Sequence, residues 1–82
     1  MKVLLSNRAS KYFERMNEPD KSRIKAALQK LGEEPPQGDI RPLSGSDEYR
    51  ARIGGYRILF KVTDDTIFVL YIASRGQAYK GR

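Results

Sequence analysis

No cysteine and no histidine occur in this 82-residue sequence. Disulfide stapling is thereby excluded, as are thiolate or imidazole metal sites, cysteine nucleophiles and any catalytic cycle that turns on a histidine base. Long hydrophobic runs are missing too. No apolar stretch approaches about 18 residues, and the chain does not open on a basic segment followed by an apolar one, so neither membrane spanning nor secretion is expected. A small domain without disulfides suits a reducing cytosol, and a cytoplasmic location is expected. No cofactor and no metal are expected. Negative charge is scarce: ten Asp and Glu stand against sixteen Lys and Arg, a formal net charge of +6. That excess favours a polyanion or an acidic protein partner without saying which. The length allows one modest core and hence a single domain, 1–82.

What is present reads as an α+β pattern. Residues 1–6 form a short opening strand, and Ser6 or Asn7 suits the N-cap of a following helix. Ala9, Tyr12, Phe13 and Met16 recur at i, i+3, i+4 and i+7, the stripe of a helix of about three turns. Asn17-Glu18-Pro19 breaks it. Ile24, Ala27, Leu28 and Leu31 repeat the stripe in a second helix that starts near Pro19-Asp20 and ends at Gly32, and so short a break predicts an antiparallel helix pair. A loop through Gly38 leads to Ile40-Arg41-Pro42-Leu43, either a strand entry or an extended crossing. A mostly antiparallel three- to four-stranded sheet follows.

Its central feature is Tyr49-Arg50-Ala51-Arg52-Ile53-Gly54-Gly55-Tyr56-Arg57-Ile58-Leu59-Phe60. Gly54-Gly55 supplies the positive φ that a two-residue primed turn requires. In that register Ile53 meets Tyr56, Arg52 meets Arg57, Ala51 meets Ile58 and Arg50 meets Leu59, which puts Arg50, Arg52 and Arg57 on one side of the sheet. Opposed like charges cost roughly 0.2–1 kcal/mol, so stability alone does not explain Arg52 across from Arg57. Two readings are open here: a solvated outer face, or an anion site whose planar donor forks match phosphate oxygens. Strands Tyr56 to Thr63 and Thr66 to Ser74, joined at Asp64-Asp65, complete the sheet. Tyr56, Ile58, Phe60, Val62, Ile67, Val69 and Tyr71 are expected to cover the helices, with Tyr12 and Phe13 also in the core. Arg57, Leu59, Lys61, Phe68, Leu70 and Ile72 fall on the other face, which is apolar enough to predict a covering partner. A two-residue turn would set Arg57 across from Ile72 and bring Arg75 beside the Arg52/Arg57 pair.

The order strand, two helices, then Pro-Leu-Ser-Gly-x-x-x-Tyr-Arg-x-Arg-x-Gly-x-Tyr-Arg-Ile-x-Phe-x-Val-x-Asp-Asp-x-Ile and a final Ser-Arg-x-x-x-Tyr resembles the RelE branch of the RelE/ParE toxin superfamily. The resemblance covers essentially the whole chain and is most specific from Leu43 through Asp65. It implies the toxin of a prokaryotic type II toxin–antitoxin pair, acting as a ribosome-dependent mRNA endoribonuclease that arrests translation. Carried over by position, the family's catalytic basic residues fall on Arg50, Arg52, Arg57 and Arg75, and its terminal tyrosine on Tyr79. Outside that carry-over, Lys61, Lys80 and Arg82 are either general electrostatic contacts to RNA or the ribosome or solvated charges. RelE has lysines at the first two positions, and several relatives carry a histidine where this chain has Ser74.

In the chemistry implied, a ribose 2′-OH attacks the adjacent phosphate, Arg57 with Arg50 or Arg52 stabilises the charge that develops, and Arg75 protonates the leaving 5′-oxygen. Tyr79 offers a ring for stacking or a phenol for positioning. Arginine stays protonated and is a poor base, so slow, context-dependent cleavage is expected. The partners implied are a cognate antitoxin, the ribosome with its rRNA, and mRNA, with the toxin itself a monomer that forms a heteromer with the antitoxin. Two alternatives stay open: a ParE-like poison of DNA gyrase, and a catalytically decayed antitoxin-binding relative, which the arginine-for-lysine changes favour.

Overall fold

The computed structural model describes residues 1–74. β1 (Lys2–Leu5) leads into α1 (Asn7–Glu14) and α2 (Asp20–Leu31), and four strands follow: β2 (Asp39–Pro42), β3 (Glu48–Ile53), β4 (Tyr56–Thr63) and β5 (Thr66–Ser74). They form one five-stranded sheet in the order β1-β5-β4-β3-β2. β1 runs parallel to β5, and every other neighbouring pair is antiparallel. The α+β architecture is the one expected, with the opening strand joining the sheet as a fifth member. No helix among the described residues is long and apolar enough to cross a membrane.

Local chemistry accounts for the helix bounds. Ser6 is the N-cap of α1: its Oγ accepts from the amide of Ala9 at 3.0 Å and donates to the carbonyl of Leu70 at 2.6 Å, fastening the helix start to β5. α1 spans eight residues, close to two turns and not three. Met16 lies beyond it yet still packs on the core, so the stripe continues past the last helical residue. At the start of α2, the Glu18 carboxylate accepts from both the amide and the hydroxyl of Ser22, at 3.1 and 2.6 Å. Those two bonds hold the Glu18 pKa below the ordinary carboxylate value. Gly32 ends α2; a Cβ there would meet the side chain of Val3 at 3.1 Å and the carbonyl of Met1 at 3.2 Å.

The core lies between the helices and one face of the sheet. Ala9, Ile24, Leu28 and Leu31 from the helices meet Ala51, Ile58, Phe60, Ile67, Val69 and Ile72 from the strands. Burial of large side chains such as Phe60, Ile24 and Leu31 is worth about 1.5–3 kcal/mol each. Tyr12 and Phe13 are half-buried and pack against this cluster.

The expected alternation fails at one place. Phe60 pairs with Val69, but Leu59 pairs with Tyr71, so Leu70 is an extra residue, a β-bulge in β5. Beyond it the two faces exchange. Ile72 moves to the core side, across from Ile58 and 3% exposed, while Tyr71 moves to the outer face across from Leu59. Arg57 stands across from Ala73 and not Ile72. The Asp64-Asp65 turn is two residues long as expected, with Asp64 at φ 51°, and the slip arises entirely at the bulge. Val62 faces Ile67 but reaches the end of the sheet, where it is 41% exposed.

Candidate functional site

Gly54, at φ 56°, allows the tight β3–β4 turn, and the register that follows is the one the sequence dictates: Ile53 with Tyr56, Arg52 with Arg57, Ala51 with Ile58, Arg50 with Leu59. Directly paired residues share a face, so Arg50, Arg52 and Arg57 stand together on the side away from the helices. Two cross-strand rows are built there. One runs Asp39, Arg52, Arg57, Ala73, and the next runs Arg41, Arg50, Leu59, Tyr71, from β2 to β5 in both cases.

The first row is partly neutralised. Arg52 Nε lies 3.4 Å from Asp39 Oδ2. Arg52 also borders a cleft of about 360 Å³ that Arg23 and Lys30 of α2 help to line. The second row is not neutralised: Arg41 faces Arg50, and neither pairs with a carboxylate among the described residues. At its β5 end the guanidinium of Arg8 lies over the ring of Tyr71, 4.7 Å from its centroid. β1 pairs with β5 only from Thr66 to Val69, so among the described residues no strand pairs with β5 beyond Val69 on the side beside α1.

Lys61 stands farther along the same face, across from Glu48 and Phe68, with its Nζ 3.9 Å from Asp47. Its surroundings differ from the arginine rows: Phe68 is 37% exposed and pairs with Leu4, 49% exposed, an apolar patch that continues from Leu59. Arg75, Tyr79, Lys80 and Arg82 lie outside the described residues. The sequence reading gives Arg41 and Arg8 no role and sets Tyr71 on the core face, whereas the structure puts it across from Leu59 on the outer face. Arg41 was legible in principle, since pairing β2 with β3 by alternation sets it across from Arg50. Tyr71 was hidden by the bulge, and Arg8 depends on where α1 starts.

On the helix side, Tyr56, one residue before Arg57, donates its hydroxyl proton to Asp20 Oδ2 at 2.8 Å. The bond to that carboxylate, with partial desolvation, raises the Tyr56 pKa. It ties the hairpin to the first turn of α2 and so fixes the backbone that carries Arg57. Among the described residues, no group of three or more Asp and Glu is placed to hold a metal ion.

This fold has known counterparts. Residues 3–79 match the family model described as the ParE toxin of type II toxin–antitoxin systems. The chain belongs to the ParE toxin family. Its fold is shared with the RelE toxins, as the resemblance implied. The toxin is 26% identical to a chain of the RelB–RelE antitoxin–toxin complex from Methanococcus jannaschii, with a TM-score of 0.79 over 96% of this chain and 98% of that one. With the archaeal RelE–RelB complex from Pyrococcus horikoshii the values are 27%, 0.77, 93% and 96%. Isolated E. coli RelE matches at 21% identity and a TM-score of 0.76, covering 98% of this chain and 92% of that one, and shows the common fold. No curated protein sequence matches the toxin.

Proposed function

We propose that this type II toxin is a ribosome-dependent mRNA endoribonuclease. The observation that carries the reading is the double row of arginines on the sheet face away from the helices, with Arg52 across from Arg57 and Arg50 across from Arg41. Opposed like charges cost stability where no carboxylate compensates them, as for Arg41 and Arg50 among the described residues, and a bound phosphodiester would remove that cost.

Without metal, cleavage forms a bond from the ribose 2′-oxygen to phosphorus and breaks the bond from phosphorus to the 5′-oxygen. The products are a 2′,3′-cyclic phosphate and a free 5′-hydroxyl. Charge accumulates on the phosphate oxygens, and fixed guanidinium donors stabilise it without reorganising. Arg57 and Arg50 are assigned to that task, with Arg52 shared between the phosphate and Asp39. Arg75 as donor to the 5′-oxygen and Tyr79 as stacking ring rest on the family resemblance. A chain with no histidine lacks the one side chain whose ordinary pKa lies near neutral pH as a base for the 2′-proton. Alignment of the substrate by the ribosome must then supply much of the acceleration.

The partner is an antitoxin. The M. jannaschii and P. horikoshii relatives were solved with theirs. The exposed apolar side chains Leu4 and Phe68, next to cationic rows, suit an amphipathic acidic segment. The test is cleavage of one mRNA with and without programmed ribosomes: cutting that depends on ribosomes is expected, and an uncut message in both cases contradicts the reading. The family model's own name favours a second reading, a gyrase poison, for which DNA breaks with intact mRNA would be the signature.

A further inference from the structure

The row that holds Arg50 continues beyond the residues assigned to cleavage, at both ends. On the β2 side stands Arg41, exposed and across from Arg50. On the β5 side stands Tyr71, half-buried, with Arg8 over its ring. Leu59 occupies the middle. From Arg41 to Tyr71 the row crosses three strand spacings, roughly 14 Å. Cations mark both ends, and an apolar floor of Leu59 and Tyr71 lies between Arg50 and Arg8.

That alternation matches a single strand of RNA, whose phosphates need cations at intervals and whose bases need flat or apolar surfaces between them. The adjacent row does not offer the same path, because Asp39 stands at one end of it and is paired with Arg52. An α-helical or strand-like peptide would find no apolar stripe at its own period along the row.

We infer that single-stranded RNA crosses the sheet at right angles to the strands along the row Arg41, Arg50, Leu59, Tyr71. Arg41 and Arg8 are its two outer phosphate contacts, and Tyr71, whose ring lies under Arg8, supports that guanidinium and lines the apolar floor. This inference rests on the nuclease reading for its ligand. It makes Arg41, Arg8 and Tyr71 positioning residues that set which nucleotides flank the scissile bond.

The probe is a fluorescent 2′-O-methyl oligoribonucleotide of about ten nucleotides, bound to the full-length toxin at several salt concentrations. It has no free 2′-hydroxyl, so binding is read apart from cleavage. A toxin whose Arg57→Ala variant stays toxic would sink the nuclease reading and leave this measurement intact. Arg41→Gln and Arg8→Gln should each weaken binding and lower the slope of log K against log salt by about 0.7, the value for one single-strand phosphate contact. Lys25→Gln, which removes an exposed charge from α2, should leave the slope unchanged. Tyr71→Leu should weaken binding, and Tyr71→Phe, which keeps the ring under Arg8, should restore it. Equal effects of Lys25→Gln and the two arginine variants would overturn the inference. So would duplex DNA of the same length showing the same affinity and the same slope losses, because a general polyanion surface would then suffice. Thermal unfolding of each variant confirms that the fold is retained, and Arg8→Lys, expected to keep the slope while losing part of the affinity, provides a second reading at that end.

Discussion

Arg52, which stands directly across β3 and β4 from Arg57, has its Nε 3.4 Å from the carboxylate of Asp39 on the neighbouring strand. Both members of the ion pair are about half exposed, at 49% and 47%, so its contribution to stability is small, about 0–1 kcal/mol. Its effect on the site is larger, because Asp39 places one negative charge at the end of a cationic row. Asp39→Asn should change stability by less than about 1 kcal/mol. It should also strengthen RNA binding and steepen its salt dependence, measured with the uncleavable oligonucleotide. Weaker binding by that variant would mean that Asp39 orients Arg52 productively and does not compete for it.

The bond from the Tyr56 hydroxyl to Asp20 joins the turn end of the hairpin to α2. Tyr56→Phe should cost about 1 kcal/mol and lower activity through a less well fixed Arg57. The pH dependence follows from the raised pKa. A phenol whose folded pKa lies above its unfolded value of about 10 stabilises the fold fully below that value, and the gain is lost as pH rises through the folded pKa. The wild-type toxin should therefore lose stability to Tyr56→Phe progressively less as the medium is made alkaline, in denaturant melts at stepped pH. A constant difference between the two proteins would contradict this.

Glu18 titrates in the opposite sense. Its folded pKa is lowered, so the two bonds from Ser22 help the fold above the ordinary carboxylate pKa and are lost as pH falls through the folded value. Ser22→Ala should remove the larger, side-chain part of that shift. NMR titration of the Glu18 carboxyl in both proteins checks the direction, a rise toward the ordinary value being expected.

The Ser6 hydroxyl is engaged twice, as cap acceptor from Ala9 and as donor to the Leu70 carbonyl at the bulge. Ser6→Ala should destabilise the toxin by about 1–2 kcal/mol in chemical denaturation. A change under a few tenths of a kcal/mol would show that α1 is held by its packing alone.

How much of this was legible in the sequence can be argued from particular residues. The hairpin register from Ile53/Tyr56 to Arg50/Leu59 followed from Gly54-Gly55 and period-2 alternation, because a turn of fixed length leaves no freedom in the pairing. The helix stripes identified Ala9, Ile24, Leu28 and Leu31 for the same kind of reason. Leu70 was not legible as a bulge: it is as apolar as its neighbours, and one extra residue in an apolar run leaves no mark on composition. From that one position come the misplaced Tyr71, the misplaced Ile72 and the shifted partner of Arg57. Asp39 was equally silent, since its meeting with Arg52 depends on β2 being a strand at all. The parts of the site that local geometry dictates were readable, and the parts that depend on pairing across long loops were not.

The central claim is that the arginine face cuts messenger RNA. It is tested most directly by mapping mRNA 5′ ends in cells after induction of the wild-type toxin and of Arg57→Ala. Discrete new 5′-hydroxyl ends within translated codons are expected for the wild type, with a loss of about 10²–10³-fold in cleavage for the variant while cooperative thermal unfolding shows that its fold is retained. Growth arrest with intact messages, or equal cleavage by wild type and variant, would contradict the account.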